Sequence, residues 1–154
     1  EEIFCFADPR AKNLGWRCYD FKEQFVNQSK GFAEFEINRI MSLIPETGIE
    51  LIPEKSYILE LNFEKINGVD FKKGCYIGQE VTARMKHKAS LKNKLFCGHI
   101  PTNPENKDDK KVYSNGKVVG DIYSIFNNYC LIKIKDASKE DKLTVFGAPL
   151  TLLN

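Results

Sequence analysis

Lys72-Lys73-Gly74-Cys75-Tyr76-Ile77-Gly78-Gln79-Glu80 sets a thiol between two glycines, with two ammonium groups before it and a carboxylate after it. Glycine on both sides gives the backbone access to positive φ and lets a ligand approach closely. If a helix opens at Gly78, the amides of Gln79 to Val81 point back toward Cys75, and with Lys72 and Lys73 they favour a thiolate. That is the setting of a reactive or metal-binding sulfur. The plainer reading is a cysteine packed as a small apolar residue beside a tight turn. No general base completes a dyad: His87 lies well along the same helix, and His99 falls in a strand-like segment.

Arginine is the second signal. The chain has 23 basic residues, yet arginine occurs only at Arg10, Arg17, Arg39 and Arg84. A guanidinium offers a planar fork for carboxylate or phosphate that an ammonium cannot replace. Each arginine is therefore a candidate for such a fork, set against the alternative of a surface charge left by chance. Arg84, Lys86, Lys88, Lys92 and Lys94 also form a basic run with no acidic residue from Val81 to Leu95. It reads as a solvated helix end or as a surface for anions, RNA phosphates included. Few arginines and no interleaved aromatics argue against a dedicated RNA surface.

Composition bounds the rest. The 154 residues suffice for one domain or two small ones, and a net charge of +2 says little about partners. No apolar run approaches the roughly 20 residues of a membrane span. Five cysteines without a CxxC pair argue against a disulfide framework and a zinc ribbon. Cys5, Cys18, Cys97 and Cys130 read as ordinary buried thiols, and the compartment as reducing, a cytosol or an organelle matrix. The opening EEIFCFADPR, apolar from the start and without methionine, reads as the C-terminal part of a longer protein.

These residues need elements to position them. Strands are expected at 2–7, closed by Asp8-Pro9-Arg10, and at 16–21. Helical spacing covers 35–44, stopped by Pro45, and recurs at Leu59, Phe63 and Ile66, closed by Asn67-Gly68. A third helix starts at Gly78, with Gln79 and Glu80 in its first turn and basic residues toward its end. After Lys88 the texture becomes all strand: 95–100, a hairpin at Ser114-Asn115-Gly116, then 121–126, 129–134, 142–146 and a tail near Leu150. The expected fold class is α+β, with residues 1–88 forming one unit and 89–154 a small antiparallel β-barrel.

KGCYIGQE followed by VTAR resembles the signature of the YgfZ-type folate-binding proteins, relatives of the glycine-cleavage T-protein. FADPRAKNLGWR resembles that family's D-P-R-x-x-x-L-G-x-R segment, and RIMSLIPE its R-I-x-x-G-I-P-E helix end. LELNFEKINGVDF resembles the run leading into the cysteine loop. Order and spacing match through roughly the first 95 residues, and the barrel matches by position more than motif. Leu43 stands where the family has glycine, Ile58 where proline often precedes Leu59-Glu60, and Ala89 where glycine usually precedes the barrel. These departures touch loop geometry more than chemistry.

The resemblance implies a protein that binds tetrahydrofolate or a related reduced folate and assists iron–sulfur cluster assembly or repair. In bacteria it also implies a link to tRNA modification. It implies a ferredoxin-like folate-binding region ending in this chain, then a barrel, with a preceding half that completes the folate cavity. Cys75 matches the motif cysteine, a reactive thiol and shared ligand for a transient cluster. Lys73, Gly74, Tyr76, Gly78, Gln79 and Glu80 frame it and, together with Glu60, Arg84, Asp8, Arg10 and Arg17, make up the cofactor-binding set that the resemblance implies. The expected partners are folate and iron–sulfur assembly or client proteins, with tRNA a weaker candidate and no membrane. The setting is a bacterial cytoplasm, or the mitochondrial matrix in a eukaryote. The competing reading is an enzyme, a tetrahydrofolate-dependent aminomethyltransferase, which needs no thiol.

Overall fold

The computed structural model describes residues 3–19, 31–88, 91–101, 108–139 and 141–153. It is α+β, with two α-helices among the described residues and a closed antiparallel barrel of six strands. The chain opens with β1 (Phe4–Ala7) and β2 (Trp16–Tyr19), an antiparallel ribbon in which Cys5 faces Cys18 and Phe6 faces Arg17. The part of the second strand expected beyond Tyr19 lies outside the described residues, as does Ala89.

Helix α1 runs Phe32–Met41. It stops short of the expected Ile44 because Leu43 takes φ 56, a left-handed conformation that closes the last turn. The position where the resembled family carries glycine is thus one whose backbone favours glycine. Ile44 and Pro45 still pack inside.

The helix expected through Leu59, Phe63 and Ile66 is not formed. That stretch is a succession of turns: Leu61 N–H donates to Ile58 O at 3.2 Å and Ile66 N–H to Asn62 O at 3.2 Å. Asn62 sits at φ 68 and interrupts helical propagation. The apolar period nonetheless marks the inward face, since Leu59, Leu61 and Ile66 are buried. Asn67, at φ 61, supplies the left-handed ending. Helix α2 runs Gln79–Lys88, led in by Gly78 at φ 84.

The barrel follows in the spatial order β3-β6-β5-β4-β7-β8. Its strands are β3 (Asn93–His99), β4 (Lys111–Ser114), β5 (Lys117–Phe126), β6 (Tyr129–Lys135), β7 (Leu143–Val145) and β8 (Ala148–Leu152). The β4–β5 turn is the expected hairpin, with Asn115 at φ 50 and Gly116 at φ 73. β5 runs unbroken through Gly120, where the hairpin's second flank and the strand at 121–126 were expected as separate elements. Gly120 permits close approach: a Cβ there would lie 2.0 Å from the Lys133 carbonyl.

Three apolar clusters hold the molecule together. The barrel interior gathers Ile100, Val112, Ile122, Ile132, Ile134 and Val145, all fully or nearly fully buried. A second cluster joins Ile40 and Leu61 to Leu95, Cys97 and Leu131 on the outer barrel wall. The third packs Leu14, Ile44 and Ile66 beneath the ribbon's turn and α1. The helical region is therefore seated on the barrel by shared apolar burial, which gives the cysteine loop a rigid base.

Candidate functional site

The cysteine loop hangs between the turn succession and α2. Lys72 N–H donates to Asp70 Oδ1 at 2.7 Å, closing a turn that throws the next residues outward. Cys75 is exposed, and Ile77 beside it is fully exposed, an unusual position for a large apolar side chain. Gly78 turns the chain into α2, and Thr82 Oγ1 donates back to Gly78 O at 3.2 Å. The Gln79 amide does not face the sulfur, because it donates to Tyr76 O at 3.2 Å. The sequence expectation of free amides aimed at Cys75 is corrected for that one group.

A cleft of about 460 Å³ opens beside the loop, lined by Tyr57, Phe63, Lys73, Tyr76, Val81 and Met85 among others. Tyr57 and Val81 are exposed at its rim. Inside it, the Tyr76 hydroxyl is buried without a hydrogen-bond partner among the described residues. Lys73 Nζ lies 5.5 Å from the centroid of the same ring. The site thus joins a solvent-reachable thiol to an apolar cleft with one unspent donor and a cation at its mouth.

The remaining predicted site residues lie in other settings. Asp8 is buried and accepts from Arg10 Nη2 at 2.9 Å and from Arg17 Nε at 2.8 Å. The Arg10 side chain, aided by Arg17, holds the Asp8 carboxyl far below the usual carboxylate range. Glu60 is buried against the barrel, where Asn93 Nδ2 donates to it at 3.0 Å and Lys133 Nζ lies at 3.6 Å. Gly74, Glu80 and Arg84 are exposed along the loop and α2. The structure therefore gathers Lys73, Tyr76 and Gly78 beside Cys75, and puts Glu60 and the Asp8 cluster elsewhere.

The fork reading of arginine succeeds for Arg10 and Arg39, each of which sets two nitrogens on one carboxylate, while Arg17 sets one on Asp8. Arg39 is the deepest: it donates to Glu36 Oε2 at 3.1 Å, to Ile44 O at 2.9 Å, and reaches buried Glu50 at 3.3 Å. Glu50 also accepts from Ser124 on β5 and from the Glu46 amide at 2.7 Å. This cluster ties α1 to the barrel and is structural. Glu50 was not foreseen, though a carboxylate inside Ile49-Glu50-Leu51-Ile52 was a readable sign of a buried partner. In the basic run, Lys86 pairs with Glu64 at 2.6 Å and Lys94 with Asp136 at 2.9 Å, so part of its charge is compensated.

The cysteines need one correction. Cys97 and Cys130 are buried thiols as expected, but Cys5 and Cys18 are neither buried nor thiols: they are exposed and joined in a disulfide across the β1–β2 ribbon. Strand register places them opposite each other, and register is not visible in residue counts. His87 packs edge-on against Phe71 and His99 against Tyr129.

Known proteins resembling this chain are iron–sulfur cluster assembly factors. Human mitochondrial iron–sulfur cluster assembly factor IBA57 is 31% identical over 128 residues, which is 73% of this chain and 34% of that protein. The mouse protein of the same name is 37% identical over 93 residues, 58% of this chain and 26% of its own length. The mitochondrial homolog from Coccidioides immitis is 29% identical over 117 residues, 71% of this chain and 27% of that protein. The chain thus spans about a third or less of the length of these relatives. No protein-family profile matches it.

Proposed function

We propose that this chain serves iron–sulfur cluster assembly, with Cys75 as the sulfur that meets a cluster or a partner's thiol. The observation that carries the reading is the exposed thiol on a loop whose glycines leave open space around it. No Cβ added at Gly74 or Gly78 would meet another atom within 4 Å. The similarity to cluster assembly factors supplies the cargo. Among the described residues no group of three His, Cys, Asp or Glu side chains converges to hold a metal. Clusters normally take several sulfur ligands. A cluster carried at Cys75 therefore draws its other ligands from beyond the described residues, and an assembly protein or a client can supply them. Exposed Ile77, Tyr57 and Val81 give that molecule apolar surface to rest on.

The compartment in this reading is the mitochondrial matrix, which the names of the similar proteins favour over a bacterial cytoplasm. Reduced folate stays part of the reading through the family resemblance. The set named for it does not form one cavity in this chain, since Glu60 and Asp8 spend their oxygens on Asn93, Lys133 and the arginines. Anaerobic purification with iron and sulfide analysis tests the proposal. Purified with an assembly protein that carries a cluster, the wild type is expected to hold iron and Cys75→Ala is not; equal iron in the two under those conditions refutes it.

A further inference from the structure

Cys5 and Cys18 form the molecule's other sulfur site, and nothing in cluster assembly at Cys75 requires them. They face each other directly in the β1–β2 register, with Cα atoms 4.2 Å apart. Both residues are exposed. Among the described residues the ribbon pairs through its own four-residue ladder, with no third strand. The same ribbon carries the Asp8 cluster: Arg17 adjoins Cys18 and reaches Asp8 across the turn, so the ribbon keeps a second tie when the sulfur bond opens. Thiol exchange requires a thiolate to reach a disulfide sulfur along the S–S axis. Exposed disulfides meet that requirement, whereas buried ones are shielded from it.

We propose that Cys5 and Cys18 are a reversible thiol–disulfide couple that exchanges with small monothiols of the glutathione type. In the reducing direction, a monothiol thiolate attacks one of the two sulfurs. The Cys5–Cys18 bond breaks, a mixed disulfide forms, and the other cysteine leaves as thiolate and takes a proton. A second monothiol attacks the mixed disulfide and departs with the first as the oxidised dimer. Two electrons enter the pair and two monothiols become one disulfide. The reverse sequence, driven by oxidised monothiol, restores the bridge. Register makes the pair self-resolving, because each sulfur's nearest reactant is the other.

The chain is equilibrated in glutathione buffers of graded reduced-to-oxidised ratio, quenched in acid, alkylated after denaturation and mapped by peptide mass. The couple predicts that Cys5 and Cys18 gain and lose alkylation together, with a midpoint inside the range of ratios that glutathione spans. It predicts no matching change at Cys97 or Cys130. A bridge that survives millimolar reduced glutathione, a pair that stays reduced in excess oxidised glutathione, or bridges from either residue to Cys75 would each overturn it. As a second readout, Cys18→Ser leaves Cys5 without its resolving partner, so oxidised glutathione should add one glutathione to Cys5. Failure of that adduct to form under conditions that modify Cys75 also contradicts the proposal.

Discussion

Cys97 and Cys130 line the barrel wall, where burial pushes their thiols up to about 11 and about 12, whereas Cys75 stands in solvent on a loop of the helical region. Glycine follows the same division. Gly120 exists because neighbouring backbone leaves no room for a Cβ, while Gly74 has nothing within 4 Å. Charge does too: Arg39 and Glu50 are sealed together at the junction with β5, while Lys72 and Lys73 are exposed. The barrel and its junction use each residue type to fill or lock space, and the loop uses the same types to keep space open. The Cys75 loop thus rests on a base that does not share its openness.

The largest effect expected on the locked side comes from Arg39→Ala. It leaves Glu50 buried without its cation and should cost about 3–5 kcal/mol by denaturant unfolding. Adding Glu50→Gln should recover part of that loss, and strict additivity would mean that the two do not act as a pair. Next comes thiol reactivity. A thiol displaced to the values of Cys97 and Cys130 is about 100-fold or more less ionised near neutral pH than an ordinary one. Native alkylation should therefore label exposed Cys75 well before either buried thiol, as read by peptide mass; comparable rates would erase the distinction between the regions.

Glycine sharpens it further. Gly120→Ala must push apart β5 and β6 and should destabilise by about 1–3 kcal/mol, while Gly74→Ala should stay within about 0.5 kcal/mol. A smaller effect than that at Gly120 is expected for acid sensitivity at Asp8. Its folded-state pKa is depressed, so its contribution is complete above the ordinary carboxylate value of about 3.9 and is lost as pH falls through the lower folded-state value. Asp8→Asn should cost about 1–2 kcal/mol near pH 7 and should flatten the fall in urea midpoint below about pH 4. An unchanged acid limb would mean that the cluster stores no charge-dependent stability.

The barrel was legible because its cues are local: alternating apolar residues, and Asn115-Gly116 at a two-residue turn. The loop was legible for the same reason, with glycines, a thiol and a helix start inside nine residues. The turn succession at 58–68 was misread as helix because its apolar period is helical, while Asn62 breaks the ladder through a backbone conformation that no periodicity reveals. The continuity of β5 through Gly120 was not legible, because a close-approach glycine is recognised only once the neighbouring strand is known. The Cys5–Cys18 pairing and the Arg39–Glu50–Ser124 junction depend on residues distant in sequence. The sequence marks Arg39 as a fork but not its partners.

Activity of cluster-dependent enzymes in cells whose only copy of the protein carries Cys75→Ala tests the central claim most directly. The prediction is normal abundance and folding of the variant, with those enzymes losing activity. Enzyme activity equal to wild type at equal protein level would contradict any role for the exposed sulfur.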